Sequence, residues 1–205
     1  TEPRVFTVAS VSDELAIILL SPDASLRLEP LGTKFKFWLE RDGRSGLFKA
    51  ARTGSGEDWA EVGASLVARG LGIPHAEIDL ATCDGRPGVI SWSVLTGADA
   101  LVPGNEVLAR VYKTYPYEDE VRHVPQHTVR RCLYVSEYLG LPPGWTPPPE
   151  VSRGVHLFVG YLMLDALIGN TDRHDQNWAW ILRSEAPAPG EPQAYLAPTF
   201  DHGSS

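Results

Sequence analysis

Basic side chains are in short supply: 18 Lys+Arg stand against 26 Asp+Glu in 205 residues, a formal charge of −8 at pH 7. A general binder of phosphate backbones needs a basic surface, so direct nucleic-acid binding is not expected. Cysteine is rarer, with only Cys83 and Cys132. Two cysteines form one disulfide at most. That excludes a disulfide scaffold and a Cys-rich zinc module, and a reducing cytoplasm is the expected setting. Long apolar runs are missing too. The longest, Leu15 to Leu20, has six residues, against the ~20 that a membrane span needs. The opening Thr1-Glu2-Pro3-Arg4 does not lead a basic segment into an apolar one, so no signal peptide is expected. No internal repeat and no Gly-x-Gly-x-x-Gly motif is found.

What is present suits a folded chain. Hydrophobic residues make up 43% and charged residues 21%, enough to build a core. Residues 35–41 and 45–50 read as two strands around an Asp42-Gly43 turn, a β-hairpin. Residues 57–70 change to helical spacing, with Trp59, Val62, Leu66 and Val67 as the apolar positions. Glu57 and Asp58 suit the first turn of that helix. Strands are expected at 76–82 and 89–95, around Asp84-Gly85. Helices are expected at 105–113, 126–139 and 150–168, the last two separated by a proline-rich connector. Two late strands, 178–183 and 194–199, flank a turn at 186–190. Strands dominate the first half and helices the second, which predicts an α+β fold of two lobes, 1–92 and 93–205.

The chemistry gathers in Gly169-Asn170-Thr171-Asp172-Arg173-His174-Asp175-Gln176-Asn177. This polar segment is wedged between an apolar helix and an apolar strand, a costly position unless its groups are satisfied or used. Three readings are open. A metal-dependent hydrolase would take Asp172, His174 and His202 as ligands. A polar loop would only cap the helix at Asn170 or Thr171. Phosphoryl transfer would use the segment as a catalytic loop.

Spacing favours the third. A kinase loop places an Asp for the acceptor hydroxyl, then an Asn for Mg²⁺ five positions later. Asp172 and Asn177 stand at that interval, and Asp201-His202-Gly203 follows the late hairpin, where a second metal-binding Asp belongs. Such a site also needs a Lys on an early strand and a Glu on the next helix. Lys49 and Glu61 occupy those places. Singly, Lys49 reads equally as an exposed strand lysine and Glu61 as a solvated helix face. Gly32, Thr33 and Lys34 precede the hairpin, where amide and hydroxyl donors would meet phosphate.

With these residues in order, the chain resembles the HipA-like Ser/Thr kinases, on the phosphoinositide-kinase-like branch of the protein-kinase fold. The similar stretches are the Asn170–Asn177 loop, Gly32-Thr33-Lys34, Phe48-Lys49-Ala50, residues 57–74 and Phe200–Ser205. The resemblance implies a bilobal fold, with an antiparallel sheet and one helix in the N-lobe and a mainly helical C-lobe. It implies ATP and Mg²⁺ as cofactors and a protein substrate. Asp172 would face the acceptor hydroxyl, and Asn177 and Asp201 would hold Mg²⁺. Lys49 would contact the α/β-phosphates and pair with Glu61. His174 would belong to the catalytic loop and brace it. Ser91 and Ser93 would offer backbone to the adenine edge. Helices are expected after Gly203, so the C-lobe would be completed by a later segment or a partner, such as the antitoxin of a toxin–antitoxin pair. Residues 1–31 match nothing in the family. A small-molecule or lipid kinase of the same fold, and a nucleotide-binding pseudokinase, are the alternatives.

Overall fold

The computed structural model describes residues 16–21, 27–28, 35–116, 124–187 and 189–203. The described part of the first half forms one six-stranded sheet. Its strands are β1 (Ile18–Leu20), β2 (Arg27–Leu28), β3 (Lys36–Arg41), β4 (Arg44–Ala50), β5 (Ile78–Cys83) and β6 (Arg86–Trp92). Their order across the sheet is β1-β5-β6-β4-β3-β2. The sheet is antiparallel as expected except at one edge, where β1 runs parallel to β5. Both tight hairpins follow from Asp-Gly pairs. Asp42 and Gly43 have φ of 52° and 73°, and Asp84 and Gly85 have 50° and 72°. Two successive positive φ values match the right-handed twist of the strands they join.

The sheet is apolar on both faces. Phe37, Leu39, Phe48, Ala81, Cys83, Ile90 and Trp92 form one buried layer. Val89, Ile78 and Leu80 form the other, against Val62 of helix α1 (Glu57–Gly70). The face that α1 buries differs from the expected one. Trp59 is 57% exposed, and the buried positions are Glu61, Val62, Ala64, Ser65 and Ala68. Periodicity assigned Trp59 to the core because it is apolar. The helix instead turns a carboxylate and small residues inward, where Lys49 lies on the same sheet face as Val89 and Ser91.

After β6 the chain forms β7 (Ala100–Pro103), α2 (Gly104–Val111), α3 (Val129–Ser136), α4 (Gly154–Ile168), β8 (Ala179–Leu182) and β9 (Ala194–Leu196). The three strands make a second sheet in the order β7-β8-β9. The helices pack around Leu108, Val135, Leu157, Phe158, Tyr161 and Trp178. Helix α4 buries Leu157, Phe158, Tyr161, Leu164 and Asp165, while Val159, Met163 and Leu167 are exposed. The proline-rich connector is pinned to the end of α1, where the Trp145 indole donates to the Gly72 carbonyl at 2.9 Å. Among the described residues no helix is long and apolar enough to cross a membrane. The architecture is α+β: a six-stranded sheet with one helix, then three helices with a three-stranded sheet.

Candidate active site

Lys49 lies on β4, two residues before the strand frays into a loop, and alternation turns its side chain toward α1. Its ammonium donates to Asp201 Oδ1 at 2.8 Å, across 152 residues of sequence. Burial alone would lower the Lys49 pKa, but the Asp201 and Glu61 carboxylates outweigh it and raise the value above its ordinary one. Lys49 is therefore held as a cation between two acids. The direct partner of Lys49 is Asp201; Glu61 acts on it through space. Instead, Glu61 accepts the backbone amides of His202 and Gly203. Burial pushes the Glu61 pKa up, and Lys49 pulls it back only in part. Its Oε1 is buried without a hydrogen bond.

A Cβ at position 203 would stand 2.9 Å from Glu61 Oε2, so any larger residue there must move the Glu61 carboxylate. Asp201 itself has φ of 61°, an uncommon conformation that Asp tolerates better than most. The neighbouring His202 is buried, with its Nε2 at 2.9 Å from Thr199 Oγ1. Burial and the Arg173 charge push its pKa down to about 4.

The loop after α4 is built from the helix end outward. Gly169, with φ of 73°, stops the helix. Asp165, in the last turn, is 6% exposed. It accepts Arg173 Nε at 2.8 Å, Arg173 Nη2 at 2.6 Å and Asn170 Nδ2 at 2.8 Å. The third Arg173 nitrogen, Nη1, donates to the Asn177 carbonyl at 2.6 Å. One guanidinium thus ties the helix to both ends of the loop. Asn170 Oδ1 accepts the Asp172 amide at 3.1 Å, and Asn177 Nδ2 donates to the Asp172 carbonyl at 2.8 Å. Asp172 and Asn177 are fixed relative to each other by these bonds. His174 braces the same turn, since its Nδ1 accepts the Gln176 amide at 3.2 Å.

A second set of contacts supports the loop from below. The Tyr115 hydroxyl donates to the buried Asp175 carboxylate, and burial with that carboxylate pushes the Tyr115 pKa up. The Asn105 amide donates to the Asp175 carbonyl at 2.9 Å. Trp178 Nε1 donates to His127 Nε2 at 3.2 Å, with the two rings stacked. Burial lowers the His127 pKa, against a smaller opposing pull from Asp175. A cavity of about 270 Å³ opens between these elements, lined by Val124, Pro125 and His127 on one side and residues 171–175 on the other.

The structure brings Lys49, Glu61 and Asp201 together, and separately fixes Asp172, His174 and Asn177 in one loop. The charges of Arg173 and Asp165 act on His202, the neighbour of Asp201. Gly32, Thr33 and Lys34 lie outside the described residues. Ser91 is inside the sheet, opposite Leu47 and Ile78, and the Ser93 amide donates to the Ser45 carbonyl at 2.9 Å. The Ser93 amide is thereby engaged by the sheet. Among the described residues no three of His, Cys, Asp and Glu gather as a metal-holding group. Sequence reasoning missed Asp165, Tyr115 and His127 as working parts, and named Asn170 only as a helix cap and Arg173 only within the loop motif. Asp165 carried a signal, as the one carboxylate within an otherwise apolar helix.

No family model matches the chain, and no curated protein matches it. Among solved structures it is similar to the Helicobacter pylori proinflammatory kinase CtkA, at a TM-score of 0.63 and 20% identity over 92% of this chain. The match covers 59% of that kinase, so the chain spans about three fifths of its length. The likeness shows a kinase fold.

Proposed function

We propose that the protein is an ATP- and Mg²⁺-dependent phosphotransferase of the HipA-like kind, moving the γ-phosphoryl group to a Ser or Thr hydroxyl of a protein. The observation that carries this reading is the Lys49–Asp201 contact at 2.8 Å. It joins a strand lysine to the Asp of Asp-x-Gly, in a fold whose loop after α4 carries Asp172 and Asn177. Phosphoryl transfer asks a protein for positioning and charge stabilisation more than for covalent chemistry. A cation held between two acids, a carboxylate on a braced loop and two oxygen donors meet that demand.

The donor set fits Mg²⁺. Asn177 spends its amide nitrogen on the Asp172 carbonyl, which leaves its Oδ1, and Asp201 supplies a carboxylate; both are hard oxygen donors. When bound there, Mg²⁺ would neutralise phosphate charge. Lys49 would bind the α/β-phosphates, displaced from Asp201 toward the nucleotide. Asp172 would orient the acceptor hydroxyl and take its proton. The acceptor oxygen bonds to the γ-phosphorus, the bond from that phosphorus to the β–γ bridging oxygen breaks, and ADP leaves with the electron pair. Overall charge of −8 does not oppose this, because only the cleft must be positive.

Titration calorimetry with Mg·ATP tests the nucleotide site. Asp201→Asn is expected to weaken binding at least tenfold and to remove its Mg²⁺ dependence. Wild-type affinity and Mg²⁺ dependence in the variant would overturn the assignment of Asp201.

A further inference from the structure

Within the proposed transfer reaction, on which this reading rests, we infer that Glu61 is a positioning residue for the metal-binding Asp201. Its carboxylate seats in the amides of the turn that follows Asp201, and helix α1 thereby controls Mg²⁺ binding.

The resemblance to kinases pairs Glu61 with Lys49. The structure gives the carboxylate other work. Glu61 is 3% exposed, and the amides of His202 and Gly203 donate to it. Successive amides in a turn make a concavity for an anion, and here a buried carboxylate fills it. Asp201 heads the turn with φ of 61°. Left-handed backbone is disfavoured for a residue with a Cβ and persists where its surroundings hold it. The two amides bonded to Glu61 are the ones that follow Asp201 in the chain. The carboxylate therefore fixes the turn that sets the direction of the Asp201 side chain.

Helix α1 and its exit hold the same segment elsewhere. Gly203 lies against the first turn of α1, where a Cβ at position 203 would stand 3.5 Å from the Glu57 carbonyl oxygen. On the other side of Asp201, Thr199 is bonded to the chain just past the helix. Its amide donates to the Pro74 carbonyl at 3.0 Å, and its carbonyl accepts the Ala76 amide at 2.9 Å. Asp201 is suspended between these attachments at Thr199 and Gly203. A shift of α1 would carry residues 199–203 with it and turn the Asp201 carboxylate off its aim.

The test compares ADP binding to the full chain by calorimetry, with and without Mg²⁺, in wild type and Glu61→Gln. Glutamine keeps the size of the side chain and loses the charge that the two amides share. The Mg²⁺ concentration for half-maximal effect should rise about tenfold, the loss of one charge-assisted hydrogen bond, while the affinity for metal-free ADP stays within about twofold. A role exercised through Lys49 would weaken metal-free ADP to the same degree, because Lys49 would meet phosphate directly. That result overturns the inference, as does an unmoved Mg²⁺ requirement. Gly203→Ala approaches the contact from the other side, since its Cβ at 2.9 Å displaces Glu61 Oε2. It should show the same Mg²⁺-specific loss, and the double variant should lose less than the two losses combined; independent losses overturn the shared contact. The amide proton resonances of His202 and Gly203 give an answer that needs neither nucleotide nor metal. Both should move upfield in Glu61→Gln, and resonances that stay in place overturn the inference. Absence of ADP binding under every condition would instead strike the phosphotransferase reading, with the amide resonances still deciding whether Glu61 holds the turn.

Discussion

Replacing Arg173 by Leu would leave the Asp165 carboxylate buried with one side-chain donor in place of three. Both side chains of this ion pair are 8% exposed. Two of the three bonds to Asp165 come from Arg173, at 2.8 and 2.6 Å, and only Asn170 Nδ2 at 2.8 Å would remain. Breaking a buried pair from one side costs about 3–5 kcal/mol, because the surviving charge is uncompensated. A protein of this size loses about 2–4 °C in Tm per kcal/mol, so Tm should fall by roughly 6–20 °C. The same change frees the Asn177 carbonyl, so Mg·ATP binding should weaken in whatever fraction stays folded. Urea denaturation of Arg173→Leu, Asp165→Leu and the double variant measures both the cost and the coupling. The double variant should be more stable than the sum of the single losses predicts, since it strands no charge. A loss under about 1 kcal/mol in Arg173→Leu, with additive effects in the cycle, would refute the argument that this pair holds the loop.

Three further outcomes are expected. Asp172→Asn should abolish transfer and leave the ATP dissociation constant within about twofold, because Asp172 faces the acceptor; retained turnover would count against its role. His202 stays neutral in the folded state with a pKa of about 4, against about 6.5 unfolded. The unfolded chain therefore binds the extra proton between those values, and stability falls by about 3 kcal/mol as pH drops through that window. His202→Gln should flatten the stability profile between pH 7 and 5, and a parallel profile would contradict this. Gly88→Ala would place a Cβ 2.2 Å from the Lys49 carbonyl oxygen and 2.9 Å from Ala50 Cα. Both are backbone atoms of β4, so the pairing must shift, at about 1–3 kcal/mol; an unchanged Tm would show that the strands give way freely.

Local signals were legible where local physics decides. Asp42-Gly43 and Asp84-Gly85 specified their hairpins because few other pairs accept two positive φ values. The interval from Asp172 to Asn177 was readable because one turn of backbone sets it. Faces were less legible. Helix α4 is apolar all round, so its pattern could not say that Leu157 and Leu164 point inward while Met163 and Leu167 do not. Strand β7 ends in Pro103 and is only four residues long, too short for alternation to show. The parallel pairing of Ile18–Leu20 with Ala81–Cys83 joins segments far apart in the chain, and nothing in either alone announces it. The same limit applies to His127. Its meaning comes from Trp178, 51 residues away. Lys49 was read with Glu61, its expected partner on the next helix. The bond goes to Asp201, and Glu61 acts on Lys49 through its charge.

The proposed transfer reaction puts Asp172 to work in one site with Lys49 and Asp201. Its most direct test is incubation of the wild-type chain and Asp172→Asn with γ-labelled ATP, Mg²⁺ and a cell lysate, followed by mass spectrometry of labelled products. Label on Ser or Thr of protein is expected with the wild type and none with the variant. Bound ATP with no transfer by the wild type, or equal transfer by both, would contradict it.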